Sequence, residues 1–130
     1  MNKQLPIFFF LVLALMVSIR VSAHHGDAAY ETAKTISVKG TVTAYSFINP
    51  HVQIFIEAKT DKGEVEKWQG ELNSPNLLAH RGWSRTTMKT GDEVTLVGYA
   101  AKNGVKSLRL QKVLGPDGKV LGENPSGGEN

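Results

Sequence analysis

The sequence contains no cysteine. This absence excludes disulfide bonds, thiolate zinc sites, iron–sulfur clusters and a cysteine nucleophile. It also excludes a lipoprotein anchor, which needs an acylated cysteine. Hydrophobic residues make up 41% of the 130 residues and charged residues 21%, a composition typical of a globular chain rather than a disordered one. The length predicts one domain.

Long hydrophobic runs are absent except near the N-terminus. Residues 7–17 (IFFFLVLALMV) are all apolar, Lys3 precedes them, and residues 21–23 (VSA) follow. This pattern predicts a signal peptide over residues 1–23, cleaved after Ala23, and a periplasmic or secreted protein. A membrane-spanning helix needs about 20 apolar residues, and Arg20 ends this run too early. We therefore expect no membrane anchor after cleavage.

A strong excess of charge is also lacking. Cleavage removes Lys3 and Arg20, so 15 basic residues become 13 against 12 acidic ones, and the formal net charge falls from +3 to +1. Tyr45, Phe47, Phe55 and Tyr99 could stack on bases. The nearly neutral charge and the predicted export nevertheless favour core packing for them, and we expect no nucleic-acid partner.

Most of the remaining sequence has the residue pattern of β-strands. Apolar and polar residues alternate in five segments, separated by turn signals such as Asn49-Pro50 and Lys102-Asn103-Gly104. A helix-start signal at residues 73–75 and a C-terminal Gly82 bound one short helix. Strands are predicted over residues 35–47, 51–59, 64–72, 93–100 and 105–114, with a short sixth over 119–121.

The predicted order is three strands, a helix and two or three strands. This is the connectivity of an OB-fold, here a mainly β, small barrel of five to six antiparallel strands with one short helix between strands 3 and 4. A β-sandwich is the alternative. Gly40 in the first strand predicts a bulge or a sharp bend. We expect an arm over residues 24–34, the β domain over 35–121 and a disordered tail over 122–130.

The strand pattern also assigns faces. Val52, Ile54 and Ile56 share one parity and are expected in the core. Trp68 is expected to be buried between strands, and Trp83 beneath the helix.

The histidines are candidate metal ligands. Cleavage after Ala23 would make His24 the N-terminal residue, whose α-amine and Nδ1 can chelate one metal ion. His25 or His51 would complete the arrangement called a histidine brace, which suits Cu(II). The alternative is a solvated arm with adventitious affinity for copper. His51 has its own alternative, a ring that stabilises the turn before its strand, while His80 is expected to interact with the helix dipole.

No catalytic motif accompanies these residues. The sequence has no G-x-S-x-G, no H-E-x-x-H, no P-loop and no dinucleotide fingerprint. We therefore assign no catalytic residue.

Several short motifs together resemble a family of small exported bacterial proteins that has no established function. The resemblance covers residues 24–121 and implies a periplasmic setting and a compact β-rich domain, but no reaction. The motifs are His24-His25, Gly40-Thr41-Val42, Asn49-Pro50-His51, Trp68, Glu71-Leu72, Ser74-Pro75, Gly82-Trp83 and Gly91-Asp92-Glu93-Val94.

Three functional interpretations follow. The first is a periplasmic OB-like binding or scaffold domain whose partner is an unidentified small ligand or envelope protein. The alternative is a copper-binding protein that uses His24 with His51 or His25. The third is an enzyme of unknown type.

Overall fold

The computed structural model describes residues 28–125 of the chain. The predicted signal peptide, His24 and His25, and residues 126–130 lie outside the described residues. Within residues 28–125, no helix is long and apolar enough to cross a membrane.

The predicted elements are all present. Their bounds are β1 (Tyr30–Ser46), β2 (Gln53–Lys59), β3 (Val65–Glu71), α1 (Pro75–Ala79), β4 (Glu93–Ala101), β5 (Ser107–Leu114) and β6 (Val120–Glu123). The Asn49–Pro50 peptide bond in the β1–β2 turn is cis.

The strands form one sheet that closes on itself. Their order is β3-β2-β1-β4-β5-β6, and neighbouring strands are antiparallel. A short parallel pairing of β3 with β5, from Gln69 with Ser107 to Glu71 with Arg109, closes the ring. The prediction of a small OB-like barrel with one helix after its third strand is confirmed.

The first strand takes part in both halves of the barrel because it bends. Its residues Thr35 to Thr41 pair with β4, and Thr41 to Ser46 pair with β2. A bulge lies between Val42 and Ala44. Gly40 stands so close to the Glu57 carbonyl that a Cβ would overlap it. The predicted bend is thus present, with the bulge just beyond Gly40.

The helix is short and capped as its sequence indicates. The Ser74 side chain accepts a hydrogen bond from the Leu77 N–H, and Pro75 occupies the first turn. The α-helix ends at Ala79, with His80 as its C-cap, and Leu78 is fully buried against the barrel.

The core follows the predicted faces with one correction. Val52, Ile54 and Ile56 are buried, and Trp83 is only 4% exposed, as expected. Trp68 is half-buried instead of enclosed between strands. It packs on the core where β3 has no β5 neighbour, because the parallel pairing begins only at Gln69.

Both ends of the β domain extend further than predicted. Tyr30 already belongs to β1, so the expected arm is partly strand. The expected disordered tail is wrong for residues 122–125, because β6 runs to Glu123 and Asn124 is buried. The Asn124 side chain accepts from the Asn73 N–H and donates to the Leu110 carbonyl. Polar residues order this segment by satisfying backbone groups, a contribution that hydropathy does not show.

Candidate functional site

The outer face of β1, β2 and β3 carries the side chains that alternate away from the core. Directly opposite pairs on β2 and β3 are Gln53 with Glu71, Phe55 with Gln69, and Glu57 with Lys67. Because paired residues in a sheet point to the same side, these side chains form one continuous surface. Phe55 is the aromatic residue in its middle.

A groove of about 610 Å³ crosses this surface. We call it the Phe55 groove. Its apolar part comes from Phe55, exposed Ala44, half-buried Trp68 and Val105, which is 59% exposed. The rest of the lining consists of Thr43, Ile56, Glu57, Lys67, Gln69 and Lys106.

Charged contacts hold one wall of the Phe55 groove in place. The Lys106 ammonium lies 5.1 Å from the centre of the Trp68 ring and 3.0 Å from Glu66 Oε1. The Trp68 indole N–H donates to Glu66 Oε2 at 3.0 Å. The Lys106 ammonium, followed by this indole N–H, holds the pKa of the Glu66 carboxyl below its usual value. The wall is therefore fixed by two contacts to one carboxylate.

Lys67 differs from Lys106 in its surroundings. Among residues 28–125, no carboxylate lies within ion-pair distance of its ammonium. Glu57 stands opposite Lys67 on β2 and lines the same groove, but the two side chains form no ion pair.

A second groove, of about 480 Å³, continues from the first past Glu57. It lies where β1 and β2 diverge. The rest of its lining consists of Lys39, Gly40, Thr41, Lys59, Val65 and Glu93.

His51 stands at the opposite end of the same face. Its Nδ1 lies 2.8 Å from Glu71 Oε1, and Arg109 Nη1 lies 3.4 Å from the same oxygen. Arg109 also donates to the Leu72 carbonyl and to Asn73 Oδ1. The side chains of His51, Glu71 and Arg109 are 43%, 22% and 14% exposed. With Nδ1 held by a carboxylate, Nε2 is the ring nitrogen left for another partner.

Of the three histidines predicted as metal ligands, the structure describes only one. His51 lies in this cluster, whereas His24 and His25 lie outside the described residues. Residues 28–125 contain no group of three or more His, Cys, Asp or Glu side chains that could hold a metal ion. Sequence reasoning missed Arg109, because the parallel β3–β5 pairing that brings it to Glu71 leaves no local pattern.

Of the four aromatics considered for stacking, only Phe55 lines the Phe55 groove. Tyr99 lines a separate cleft with Thr35 and Gln111. Tyr45 and Phe47 pack on the core instead, with ring centroids 6.1 Å apart. The Tyr45 hydroxyl donates to the Ser84 carbonyl, and burial raises the pKa of Tyr45 to about 12.

Comparison with known proteins gives a family and a similar structure. The model of a family of unknown function (DUF6152) matches residues 12–109. None of the curated proteins matches the chain. The fold is similar to that of Rim1, a mitochondrial single-stranded DNA binding protein of S. cerevisiae. The two chains are 13% identical, with 71% of this chain and 96% of Rim1 covered and a TM-score of 0.47.

This similarity corrects one expectation. We expected no nucleic-acid partner, but the similar structure belongs to a single-stranded DNA binding protein. At this identity the similarity concerns the fold alone.

Proposed function

The chain belongs to the family of unknown function DUF6152, and we propose from its own side chains that it is a binding module whose ligand occupies the Phe55 groove. The observation that carries the proposal is the position of Phe55. Its parity on β2 points it away from the core, and Ala44 and Val105 add exposed apolar surface around it. Core packing does not explain an aromatic side chain on the outer face of a barrel, whereas ligand binding does.

The lining indicates the chemistry of the ligand. Phe55 offers a flat apolar surface for a planar group. Lys67 offers a positive charge that forms no ion pair among the described residues. We propose a planar apolar molecule that carries a carboxylate, or a partner that presents such a group.

Chemical-shift mapping with benzoate as the probe tests this proposal. Benzoate should shift the amide signals of Ala44, Phe55 and Gln69, and the effect should disappear in Phe55→Ala. Lys67→Met should weaken binding of benzoate but leave binding of uncharged methyl benzoate unchanged. Val120→Ala, an exposed apolar change on β6, is the control and should bind as the unmodified chain does. Absence of shifts, or shifts scattered outside the Phe55 groove, would contradict the proposal.

We also propose that the module works in the periplasm or outside the cell. The support is the N-terminal sequence, in which a basic residue, an apolar run and small residues follow one another as in a signal peptide.

A second candidate function is copper binding with His51 as a ligand. The supporting observation is the 2.8 Å contact between His51 Nδ1 and Glu71 Oε1. Metal-binding histidines commonly donate their other ring N–H to a carboxylate, which fixes the tautomer and the ring orientation. His24 or His25 would have to supply the remaining nitrogens.

A further inference from the structure

The positive charge of this chain is unevenly placed. Residues 72–91, which run from the end of β3 through α1 towards β4, contain Arg81, Arg85 and Lys89 but no Asp or Glu. Residues 44–52, which include the β1–β2 turn, contain no Asp or Glu either. All 12 acidic residues lie elsewhere in the sequence. A chain whose total charge is nearly neutral therefore has one locally basic region.

The two segments lie side by side at one end of the barrel. The Tyr45 hydroxyl donates a hydrogen bond to the Ser84 carbonyl. The Val52 N–H donates to the Asn73 carbonyl, and the Leu72 N–H donates to the Val52 carbonyl. These contacts place the β1–β2 turn beside the start of α1 and beside the loop that follows α1.

Exposed side chains of these two segments form a surface that we call the basal face. Its members are Ile48, Leu77, His80, Arg81 and Arg85. Ile48 is 56% exposed and Leu77 is 37% exposed, and the three basic residues are exposed as well. Among residues 28–125, neither arginine has a carboxylate within ion-pair distance. The basal face thus combines two apolar side chains with two arginines that form no ion pair.

The two carboxylates that border these segments are already engaged. Glu71 contacts His51 and Arg109, and Asp92 pairs with Lys89. Neither carboxylate pairs with a residue of the basal face, which can therefore attract an anionic partner.

We propose that the basal face docks on the surface of a membrane that contains anionic phospholipids. Arg81 and Arg85 bind the phosphate groups, while Ile48 and Leu77 enter the boundary between headgroups and acyl chains. A strand of nucleic acid would satisfy the arginines but would offer no apolar phase to the other two side chains, whereas a bilayer offers both. The proposal is independent of the Phe55 groove, because no lining residue of that groove belongs to the basal face.

Vesicle flotation tests the docking. The form that begins at His24 is used, because it contains every strand of the barrel and lacks the apolar run of residues 7–17, which would itself bind lipid. This form should float with vesicles of phosphatidylglycerol and phosphatidylcholine but not with vesicles of phosphatidylcholine alone. Added salt should weaken the binding, because ions screen exposed charges. Absence of flotation with the anionic vesicles would overturn the proposal.

Charge variants assign the binding to the basal face. Arg81→Gln combined with Arg85→Gln should weaken binding by about thirtyfold, or about fivefold for each basic residue near an anionic surface. Lys34→Gln combined with Lys62→Gln removes the same charge from exposed lysines elsewhere. This double variant is the matched control and should bind almost as the unmodified chain does. Equal losses in the two double variants would indicate attraction by net charge alone and would overturn the site.

An apolar variant separates a lipid surface from other anionic partners. Ile48→Ser should weaken binding several-fold at both low and high salt, because salt does not screen the burial of an apolar side chain. Val65→Ser is the matched control, since Val65 is also 56% exposed but lies at the start of β3, and it should leave binding unchanged. Tighter binding of a single-stranded oligonucleotide or of polyglutamate, with no loss in Ile48→Ser, would show that a membrane is the wrong partner.

Discussion

The indole ring of Trp83 lies against the backbone of Gly122. A Cβ placed on Gly122 would overlap the ring atoms Cε2 and Cζ2. The contact joins the segment after the helix to β6, two parts of the chain far apart in sequence. It also explains why glycine occupies the middle of a four-residue strand, where any side chain on that face would displace a buried ring.

The first prediction follows from this contact. Gly122→Ala should lower the free energy of unfolding by about 1–3 kcal/mol, because overpacking forces a buried ring or the backbone to move. Urea unfolding followed by tryptophan fluorescence measures the change. Val120→Ala on the same strand, where the side chain is 50% exposed, should change stability by no more than about 0.5 kcal/mol. Equal stability of the two variants would contradict the packing described.

Arg109 gives the second prediction. Its guanidinium bonds the Glu71 carboxylate, the Leu72 carbonyl and Asn73 Oδ1 at the closure of the barrel. Arg109→Met leaves these acceptors without that donor, and we expect a loss of about 2–3 kcal/mol, since hydrogen bonds to charged groups contribute about 1.5–3 kcal/mol. The urea midpoint measures the loss. Lys119→Met, which breaks the exposed pair with Asp117, is the control and should have little effect.

The third prediction is that ionisation of Tyr45 lowers the stability of the protein at alkaline pH. Burial raises the pKa of Tyr45 from 10.0 to about 12, so the folded state binds the phenolic proton more tightly than the unfolded chain does. This contribution is fully present below pH 10.0 and is lost as the pH rises towards about 12. The urea midpoint should fall over that window, and fall less in Tyr45→Phe. Tyr99→Phe should keep the full decline, and a decline of equal size in Tyr45→Phe would contradict the assignment.

The fourth prediction concerns processing. We expect cleavage between Ala23 and His24 when the full chain is expressed in a Gram-negative host. Intact-mass measurement of the protein in the periplasmic fraction decides the matter. A protein that retains residues 1–23 would contradict both the export proposal and any site that uses the His24 amine.

Copper binding is the fifth prediction, and it depends on the N-terminus. The α-amine must lose its proton to bind, and such groups titrate near about 7.7–8.0, so affinity should weaken as the pH falls. Titration should show strong binding by the form beginning at His24 and a steep loss when one methionine precedes it.

Variants identify the third copper ligand. His51→Ala should lose affinity if its ring is that ligand, and Glu71→Gln should then lose part of it, because the carboxylate orients the ring. If His51→Ala binds normally, the loss should appear in His25→Ala instead. Equal and weak binding by the authentic and extended forms would leave only adventitious affinity.

The sequence by itself determined the strands, their faces and the helix cap. These features depend on neighbours a few residues apart: alternation buries Val52, Ile54 and Ile56, and Ser74-Pro75 starts the helix because a hydroxyl can accept the first free N–H groups. Strand order then indicated the OB-like barrel, since short connections leave few topologies.

Only the tertiary structure determined which residues contact one another across the barrel. The parallel closure of β3 on β5 brings Arg109 to Glu71, and through Glu71 to His51, although 38 positions separate Arg109 from Glu71. Asn124 orders a segment whose composition indicates disorder, because its amide reaches Asn73 and Leu110. Trp68 stays half-buried because the β3–β5 pairing stops at Gln69. Each of these three features depends on contacts between residues far apart in the sequence. Hydrophobic periodicity reports only on neighbours within one segment, so it does not predict such contacts.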